Sequence, residues 1–441
     1  MIVASGRQAM QRRVFLGTLA AGAAALGRRS AAEETKEKIR IGLVGCGWYG
    51  LVDTEAAFKA GGVEVVGICD VDNAHLLAAS ERIRDGQGLS PRAFKDYREL
   101  LDLPGLQAVV IATPPHWHAL PFIEACKRGK DVYCEKPLAY DVREGRAMVE
   151  AARASGRVVQ IGFQRRHSEA IRQAKAYIAE GRAGEIVSVA AHIHYPAQLE
   201  DPTPVDPPAT LDWDLWCGPA PKLPYSRQVG HFNWRTEEAY GNGHLVDWGI
   251  HWIDAIRNVL GLGMPRSVQS AGGLYRLKGR ITTPDLLTAH FEFEPCPVTW
   301  THRIFGQAEV SPETSNGMFF YGEKETIFLN DERYVVYPNA PGPPLSPPTG
   351  TGEHRTVEAK NDQQTEHVAE WLEAVRTRGK VSCPPEEAYR STAAVQLAMI
   401  ALKAGGRVDW DEAAEQVRGN PKAAALLKRE YRAPWVHPWR G

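Results

Sequence analysis

Apolar and polar positions follow different patterns before and after about residue 162. In the first part, apolar runs of strand length alternate with segments of helical periodicity. The apolar runs span 39–44, 63–69, 108–112, 132–134 and 158–161, and the helical segments span 49–60, 73–84, 117–128 and 141–154. Alternation of this kind predicts a parallel sheet with helices on both faces.

The second part changes character after Gly181. A strand is predicted at 186–195, followed by a Pro- and Trp-rich connection at 196–240 and a single helix at 242–260. Six strand-like runs come next, at 267–277, 285–294, 297–306, 316–321, 325–329 and 333–337. Strands clustered without helices between them predict a mostly antiparallel sheet. A Pro/Gly-rich loop (338–352) precedes two helices, 362–378 and 385–404, and a charged tail predicted to be helical.

A loop of three glycines follows the first predicted strand and opens the first helix. Gly45, Gly47 and Gly50 form a G-x-G-x-x-G pattern, and Asp70 ends the next strand 20 residues after Gly50. In this context the glycines allow a tight turn, an approach of the backbone to a pyrophosphate and close helix–sheet packing. Asp70 is expected to bind the ribose hydroxyls. No arginine stands at 71–73, and a carboxylate repels a 2′-phosphate, so NAD is favoured over NADP.

These patterns predict an α/β chain with three structured parts. Residues 33–161 form an N-terminal Rossmann dinucleotide-binding domain, and residues 162–360 form a C-terminal α+β domain with a large, mostly antiparallel open sheet. Residues 361–441 supply helices that pack back on both domains. An open sheet would expose a large face, so we expect a homodimer or homotetramer.

The first 32 residues resemble a twin-arginine export signal. Arg12 and Arg13 precede an apolar run from Val14 to Leu26 and then small residues at 30–32. The run is shorter than the about 20 residues that span a bilayer, so no stable membrane insertion is expected, although a retained N-terminal anchor stays open. A twin-arginine signal suits a protein that folds around its cofactor before export, and it predicts a periplasmic or otherwise exported location.

Composition excludes some classes of function. The chain of 441 residues has 52 basic and 53 acidic residues, so it lacks the basic surface that nucleic-acid binding needs. Its seven cysteines include no C-x-x-C pair, and no disulfide framework is indicated. His116 and His118 stand in one loop and could bind a metal, but a role as a wall of the cofactor cleft is favoured.

Several short motifs, in this order and spacing, resemble those of the glucose–fructose oxidoreductase/inositol dehydrogenase/MocA (Gfo/Idh/MocA) family. They are the glycine loop, Ala112-Thr113-Pro114, Glu135-Lys136-Pro137, Gly162–Arg166, Asp247-x-x-x-His251 and Gly405–Trp410. The resemblance covers nearly the whole chain after the leader. It implies that Lys136 lies beside the nicotinamide, that Asp247 and His251 complete the catalytic set, and that the peptide before Pro137 is cis. It also implies that residues 211–219 belong to an arm found in exported members. The residues expected to contact the cofactor are Gly45, Gly47, Trp48, Tyr49, Gly50, Asp70, Thr113, Pro114, His116, His118, Glu135, Lys136 and Gln164.

A polar stripe on the otherwise apolar helix 242–260 supports the same site. His244, Asp247, His251 and Asp254 are spaced three, four and three, so they share one helix face. A polar stripe is costly to bury unless it faces a cleft. Ion pairs with Arg257 or its neighbours are the alternative.

In the chemistry that the resemblance implies, a sugar alcohol gives its hydride to the nicotinamide. Either His251 or Lys136 takes the proton, and Asp247 orients and charges the imidazole. Residues expected to contact the substrate are His194, Asn233, Trp234, Arg235, His244, Asp247 and His251. His192 and His194 point to one sheet face, and a substrate wall is favoured over a metal pair because no third ligand is visible, so no metal is expected.

The sequence therefore predicts an oxidoreductase that acts on a sugar, polyol or glycoside with a tightly bound NAD. The alternative on the same fold is an NAD-dependent glycoside hydrolase. Such an enzyme oxidises a ring carbon of the glycoside, eliminates the aglycone, adds water and reduces the ring carbon again. A non-catalytic sugar-binding protein is a third reading, and intact Lys136, Asp247 and His251 count against it.

Overall fold

The structure is a computed structural model that describes residues 37–306, 314–339 and 354–440. The predicted export signal lies outside these residues. Contacts divide the chain at Lys38, and the elements described all lie in the unit that begins at Ile39. Within the described ranges, no helix has the length and apolar character needed to cross a bilayer.

A six-stranded parallel sheet forms the first layer. Its strands are β1 (Ile39–Val44), β2 (Val63–Cys69), β3 (Arg92–Phe94), β4 (Ala108–Ile111), β5 (Asp131–Glu135) and β6 (Val159–Gly162). Its helices are α1 (Trp48–Ala60), α2 (Asn73–Gln87), α3 (Tyr97–Leu101), α4 (Ala119–Lys127) and α5 (Val142–Ser155). The strand order is β3-β2-β1-β4-β5-β6. The order reverses between β1 and β4, which is where a Rossmann sheet binds its dinucleotide.

A ten-stranded sheet forms the second part. Its strands are β7 (Ile186–His194), β8 (Ser267–Gly273), β9 (Leu286–Glu292), β10 (Pro297–Arg303), β11 (Asn316–Gly322), β12 (Glu325–Leu329), β13 (Arg333–Pro338), β14 (Arg355–Glu358), β15 (Val408–Asp411) and β16 (Gln416–Arg418). The order is β14-β13-β12-β11-β7-β10-β9-β8-β15-β16. The β7–β10 pair is parallel and the pairs on either side of it are antiparallel. Burial alternates along β10, because one face packs on helices and the other does not.

Further α-helices lie in the described part of the chain after β6, and several of them contact this sheet. They are α6 (Glu169–Ala179), α7 (Trp213–Cys217), α8 (Ile250–Leu260), α9 (Gln363–Thr377), α10 (Pro385–Ala404) and α11 (Pro421–Ala425). Helix α9 packs against α1, and α10 packs against both α5 and β8. The long connection between β7 and α8 includes residues 196–240, which we call the strap. It has its own small core of aromatic side chains, Trp213, Trp216, Trp234 and Tyr240 among them.

The predicted Rossmann layer and mostly antiparallel second sheet are both present, but four details differ. The predicted single helix at 242–260 is a π-helical turn at Leu245–Gly249 followed by α8. The charged tail is not one helix: it forms β15, β16 and the short α11. Strand β3 and helix α3 are too short to give a periodic pattern, and α6 and the exposed β14 were not predicted either.

Candidate active site

One cleft, with a volume of about 270 Å³, lies at the carboxyl ends of the parallel strands and extends to α8. Elements from the whole chain contribute to it. Its lining includes Gly45, Gly47, Trp48, Tyr49, Asp70, Thr113, Pro114, Glu135, Lys136, Gln164, Trp234, Arg235, Asp247 and His251. Fourteen residues that the sequence predicted as cofactor, substrate or catalytic residues therefore share one cavity.

The glycine loop has the geometry of a dinucleotide cradle. Gly45 has φ +94°, and a Cβ there would lie 2.7 Å from the backbone of Thr113. A Cβ on Gly50 would lie 2.1 Å from the carbonyl oxygen of Gly45, so Gly50 packs beneath the loop and does not line the cleft. A Cβ on Gly47 would meet only a His75 ring atom at 3.9 Å. That open space, in front of the N-terminus of α1, lets a pyrophosphate approach the backbone.

Asp70 ends β2 and lies at the edge of the loop. Its carboxylate accepts hydrogen bonds from the Cys46 N–H at 2.7 Å and from the Asp72 N–H at 2.9 Å. The carboxylate also lies 3.5 Å from Nδ1 of His75. The side chain lines the cleft, where it can accept hydrogen bonds from ribose hydroxyls and would repel a 2′-phosphate.

Lys136, Asp247 and Arg235 form a buried charged group on the opposite side of the cleft. Lys136 Nζ donates to the Asp247 Oδ1 at 3.0 Å and to its carbonyl oxygen at 2.8 Å. Arg235 Nε lies 2.9 Å from Oδ2 of the same carboxylate. These two cations hold the pKa of Asp247 below its usual range, although burial acts in the opposite direction. The Lys136–Pro137 peptide is cis, as the resemblance implied.

His251 stands one turn beyond Asp247 but does not pair with it. Its Nδ1 is buried and has no hydrogen-bond partner among the described residues. Burial lowers the pKa of His251 well below its usual range, and the charges of Arg165 and Lys136 lower that pKa further. The prediction that Asp247 orients and charges this imidazole is wrong, because both carboxylate oxygens face other cations and the π turn separates the two residues. A neutral His251 can instead hydrogen-bond a hydroxyl.

Two buried carboxyl groups lie behind Lys136. Burial raises the pKa of Glu135 to about 8, against the opposing effect of Lys136. Burial also raises the pKa of Asp53, whose Oδ1 accepts a hydrogen bond from Gln364 at 2.8 Å. Gln364 also accepts a bond from Tyr49, which joins α9 to the glycine loop. Sequence reasoning missed Asp53 and Gln364, since nothing local marks a contact between residues so far apart.

Arg165 was also missed as a site residue, although it stands in the Gly162–Arg166 motif. Its side chain is buried in the cleft wall, with the guanidinium 3.8 Å from the Trp252 ring centroid and an ion pair of 2.9 Å to Asp331. Its Nη1 has no partner among the described residues. Asp331 and Gln363 line the cleft too, and no sequence signal pointed to either of them.

Five predicted site residues do not line the cleft, besides Gly50. They are His116, His118, His194, Asn233 and His244. The first two are structural: Nε2 of His116 bonds the Trp216 carbonyl, and the His118 ring bonds the carbonyls of Pro137 and Thr113. Burial lowers the pKa of His116 to about 3 and that of His118 to about 4.

His194, Asn233 and His244 lie in the second domain, outside the lining of the cleft. His244 is buried with its ring 5.0 Å from those of Tyr195 and His302. His194 stacks on His192 on one sheet face, and Asn233 lies in a short turn of the strap.

Asp254, the last member of the polar stripe, is paired away from the cleft. Its carboxylate accepts two hydrogen bonds from Arg166, at 2.6 and 2.8 Å, and one from Ser391 Oγ. At this position the ion-pair alternative is therefore correct, with Arg166 as the partner. The four residues of the polar stripe do not share one face, because the π turn changes the direction of successive side chains.

The strap closes one side of the cleft and is held there by residues 429–435. Arg432 bonds the Asp214 carboxylate and the carbonyls of Gly218 and Ala220 in the strap. Trp435 packs edge-on against Trp117, with ring centroids 4.8 Å apart, and lines the cleft. The cavity wall is thus assembled from both ends of the described chain.

Three family descriptions match consecutive parts of the chain. Residues 39–163 match "Oxidoreductase family, NAD-binding Rossmann fold", residues 171–328 match "GFO/IDH/MocA C-terminal domain", and residues 352–437 match "Oxidoreductase family, C-terminal alpha/beta domain". The chain belongs to the Gfo/Idh/MocA oxidoreductase family. The predicted resemblance and the predicted NAD-binding Rossmann domain are confirmed, and NAD is the cofactor of this family's N-terminal domain.

Curated members of the Gfo/Idh/MocA family match parts of the chain. A levoglucosan dehydrogenase from Pseudarthrobacter phenanthrenivorans is 29% identical over 232 residues, which are 51% of this chain and 52% of that protein. An inositol 2-dehydrogenase from Salmonella paratyphi B is 32% identical over 161 residues, 36% of this chain and 46% of that protein. The chain spans about half the length of the curated relatives it matches.

A solved structure of a levoglucosan dehydrogenase, in complex with NADH and levoglucosan, has the same fold. Its TM-score is 0.65 at 20% identity, and the superposition covers 84% of this chain and 99% of that one. The likeness confirms the fold class for the two sheets together.

Proposed function

We propose that the protein is an NAD-dependent oxidoreductase that takes a hydride from a secondary alcohol of a sugar, polyol or glycoside and retains its cofactor. One observation carries the proposal: the glycine loop, Asp70 and the Lys136–Asp247 pair open onto the same cleft. The names of the relatives support the substrate class, because levoglucosan and inositol are both polyhydroxylated rings.

The residues of the cleft fit a dinucleotide. Gly45 and Gly47 leave the backbone accessible, and Asp70 offers a carboxylate at the end of β2. Buried polar atoms without a partner among the described residues belong to cleft residues too, including Oε1 of Gln164 and Oγ1 of Thr113. Such atoms are costly unless a ligand bonds them. When bound, NAD⁺ accepts the hydride from the alcohol carbon.

Lys136 is the residue that we assign as the proton acceptor. The uncharged Nζ takes the proton of the reacting hydroxyl as the hydride leaves the same carbon, and Asp247, which Arg235 holds in place, pairs with the ammonium that forms. His251 is the less suitable base, because burial and two nearby cations disfavour its protonated form. Its free Nδ1 instead orients the hydroxyl that reacts. A positioned acid–base group of this kind contributes about 100- to 10,000-fold to the rate.

Retention of the cofactor is supported by the strap. His231 and Phe232 of the strap line the cleft beside the glycine loop, and the Phe232 ring lies 6.2 Å from that of Trp48. The bonds of Arg432 to Gly218 and Asp214 would have to break before the strap could move away. A slow release of the dinucleotide follows from this arrangement.

The test uses protein purified without added cofactor and a panel of polyols and glycosides. Bound dinucleotide is measured by mass spectrometry after denaturation, and the reaction is followed by NADH absorbance and ketone formation. One NADH or ketone per bound cofactor supports the proposal. Repeated release of aglycone without net NADH would indicate the NAD-dependent glycosidase instead, and neither product with any compound would refute the assignment.

We further propose that the protein is exported through the twin-arginine pathway and forms a homodimer or homotetramer. Aromatic rings on the uncovered face of the second sheet support self-association: Phe319 stacks between His192 and Tyr321, which is 40% exposed. Replacing Arg12 and Arg13 by lysine should keep the protein in the cytoplasm. Light scattering of the purified protein measures the oligomeric state, and a monomer at all concentrations would contradict the second proposal.

A further inference from the structure

Two histidines and an aspartate meet where the strap crosses the start of helix α2. Asp72 precedes α2, His75 stands in its first turn, and His231 comes from the strap. One metal-binding atom from each of the three lies within 4.8 Å of those of the other two. His231 Nε2 is 2.9 Å from Asp72 Oδ2, and the two imidazole rings are 4.2 Å apart.

One hydrogen bond joins two of the proposed ligand atoms, His231 Nε2 and Asp72 Oδ2, and a cation would replace the proton that they share. Nδ1 of His75 lies 3.5 Å from the Asp70 carboxylate, which favours the tautomer with a lone pair on Nε2. Oδ1 of Asp72 accepts the Ala74 N–H at 2.8 Å, so Oδ2 is the oxygen that faces His231. A histidine that donates its second ring N–H to a carboxylate is the usual arrangement around protein-bound metals.

We propose that Asp72, His75 and His231 form a binding site for a Zn²⁺-like divalent cation that links the strap to the Rossmann domain. Two imidazole nitrogens and one carboxylate oxygen form a set that such cations prefer, with the fourth position left to water or to a ligand oxygen. Bonds of about 2.0–2.2 Å place tetrahedral ligands about 3.3–3.6 Å apart. His231 Nε2 and Asp72 Oδ2 lie 2.9 Å apart, slightly less than that spacing, and all three ligand atoms lie within 4.8 Å of one another.

A second group of metal-ligating side chains illustrates what makes this one suitable. Asp141, Glu144 and His437 also lie close together, but Arg429 donates to both carboxylates and already supplies the positive charge. No lysine or arginine forms an ion pair with Asp72 among the described residues. The proposed cation would therefore supply a charge that the protein itself does not place there.

A cation at this site would also affect how fast the dinucleotide is released. His75, His231 and Asp70 all line the half of the cleft beside the glycine loop. A cation bound there would join the strap to the first domain beside Asp70, the residue expected to bind the ribose. Its removal should therefore speed the release of the dinucleotide.

The test uses the full-length protein, stripped with a chelator and titrated with Co²⁺, whose visible absorption reports a tetrahedral site of nitrogen and oxygen ligands. We expect one Co²⁺ per chain, displaced by Zn²⁺. His75→Gln and His231→Gln should each weaken binding at least about tenfold. His290→Gln is the matched control, because His290 is exposed on β9 and belongs to no such cluster.

Circular dichroism establishes that each variant is folded, and the two histidine variants come from different segments, so one misfolded variant leaves the other informative. NADH release, followed by fluorescence, should be faster from stripped protein than from loaded protein. Absence of saturable binding, or equal binding by His231→Gln, His75→Gln and His290→Gln, would overturn the proposal. Metal binding is measured without any substrate, so its failure leaves the proposed oxidoreductase activity untouched.

Discussion

Replacing Lys136 with methionine removes the ammonium group while keeping the length and most of the volume of the side chain. The wild-type Nζ makes two hydrogen bonds to Asp247, and the side chain is only 12% exposed. If Lys136 accepts the proton, the rate should fall by about 100- to 10,000-fold. At about 1.36 kcal/mol per tenfold, that is about 2.7–5.4 kcal/mol of transition-state stabilisation.

The fold should tolerate this change. Asp247 keeps Arg235 at 2.9 Å, so its charge stays compensated. The loss of stability should therefore resemble that of one charge-assisted hydrogen bond, about 1.5–3 kcal/mol. Removing the only partner of a buried charge would cost about 3–5 kcal/mol. Urea unfolding measures this difference directly.

The assay is single-turnover NADH formation with the best substrate from the panel, alongside a fluorescence titration with NADH. Lys136→Met should bind the dinucleotide within about threefold of the wild type, because the glycine loop and Asp70 are unchanged. Lys130→Met is the control: Lys130 Nζ donates to the Leu106 carbonyl at 2.8 Å, in the same domain but outside the cleft. A Lys136→Met enzyme that turns over as fast as Lys130→Met would refute the assigned role.

Three further predictions follow from the buried groups around the cleft. Burial raises the pKa of Glu135 from 4.5 to about 8, so the folded state keeps this proton to a higher pH than the unfolded state does. The contribution of Glu135 to the free energy of unfolding therefore falls as the pH rises between those values. Glu135→Gln should remove this pH dependence in urea unfolding, and an unchanged pH dependence would contradict the prediction. Gly50→Ala should destabilise the fold by about 1–3 kcal/mol because its Cβ would lie 2.1 Å from a carbonyl oxygen, whereas Gly47→Ala should leave the melting temperature unchanged and weaken only NADH binding. Asp254→Asn should lower the free energy of unfolding by about 3–5 kcal/mol, because it leaves the buried Arg166 without its counter-charge. The NADH affinity of this variant should be retained. A loss of NADH affinity without a loss of stability would show that Asp254 belongs to the site.

Local signals in the sequence were enough to predict most of the residues that line the cofactor half of the candidate cleft. The Gly45–Gly50 turn, Asp70 and Glu135-Lys136 each follow a strand, and parallel strands bring their carboxyl ends to one edge. The spacing within each motif therefore determined which side chains would meet. The second sheet was predictable for a similar reason, because seven of its strands show the apolar runs of a sheet with one buried face.

Contacts between distant segments were not predictable in this way. His116 and His118 have the appearance of a metal or cofactor pair, yet their partners are carbonyl groups of other loops. The spacing of Asp247 and His251 suggests a pair in a regular α-helix, and the π turn between them removes it. Gln364 reaches Asp53 across more than 300 residues, so no local pattern can mark it.

The contacts of Arg432 with the strap and of Trp435 with Trp117 also have a consequence for the order of events in the cell. The ribosome makes these residues long after the glycine loop, so the enclosure around the dinucleotide can form only late in synthesis. A chain exported during translation would cross the membrane before its cavity is complete, and it would then be separated from the dinucleotide available where it is synthesised. If the protein is exported as proposed, the dinucleotide must therefore be bound before transport, and cofactor abundance at the site of synthesis would set how much of the protein leaves in a working form.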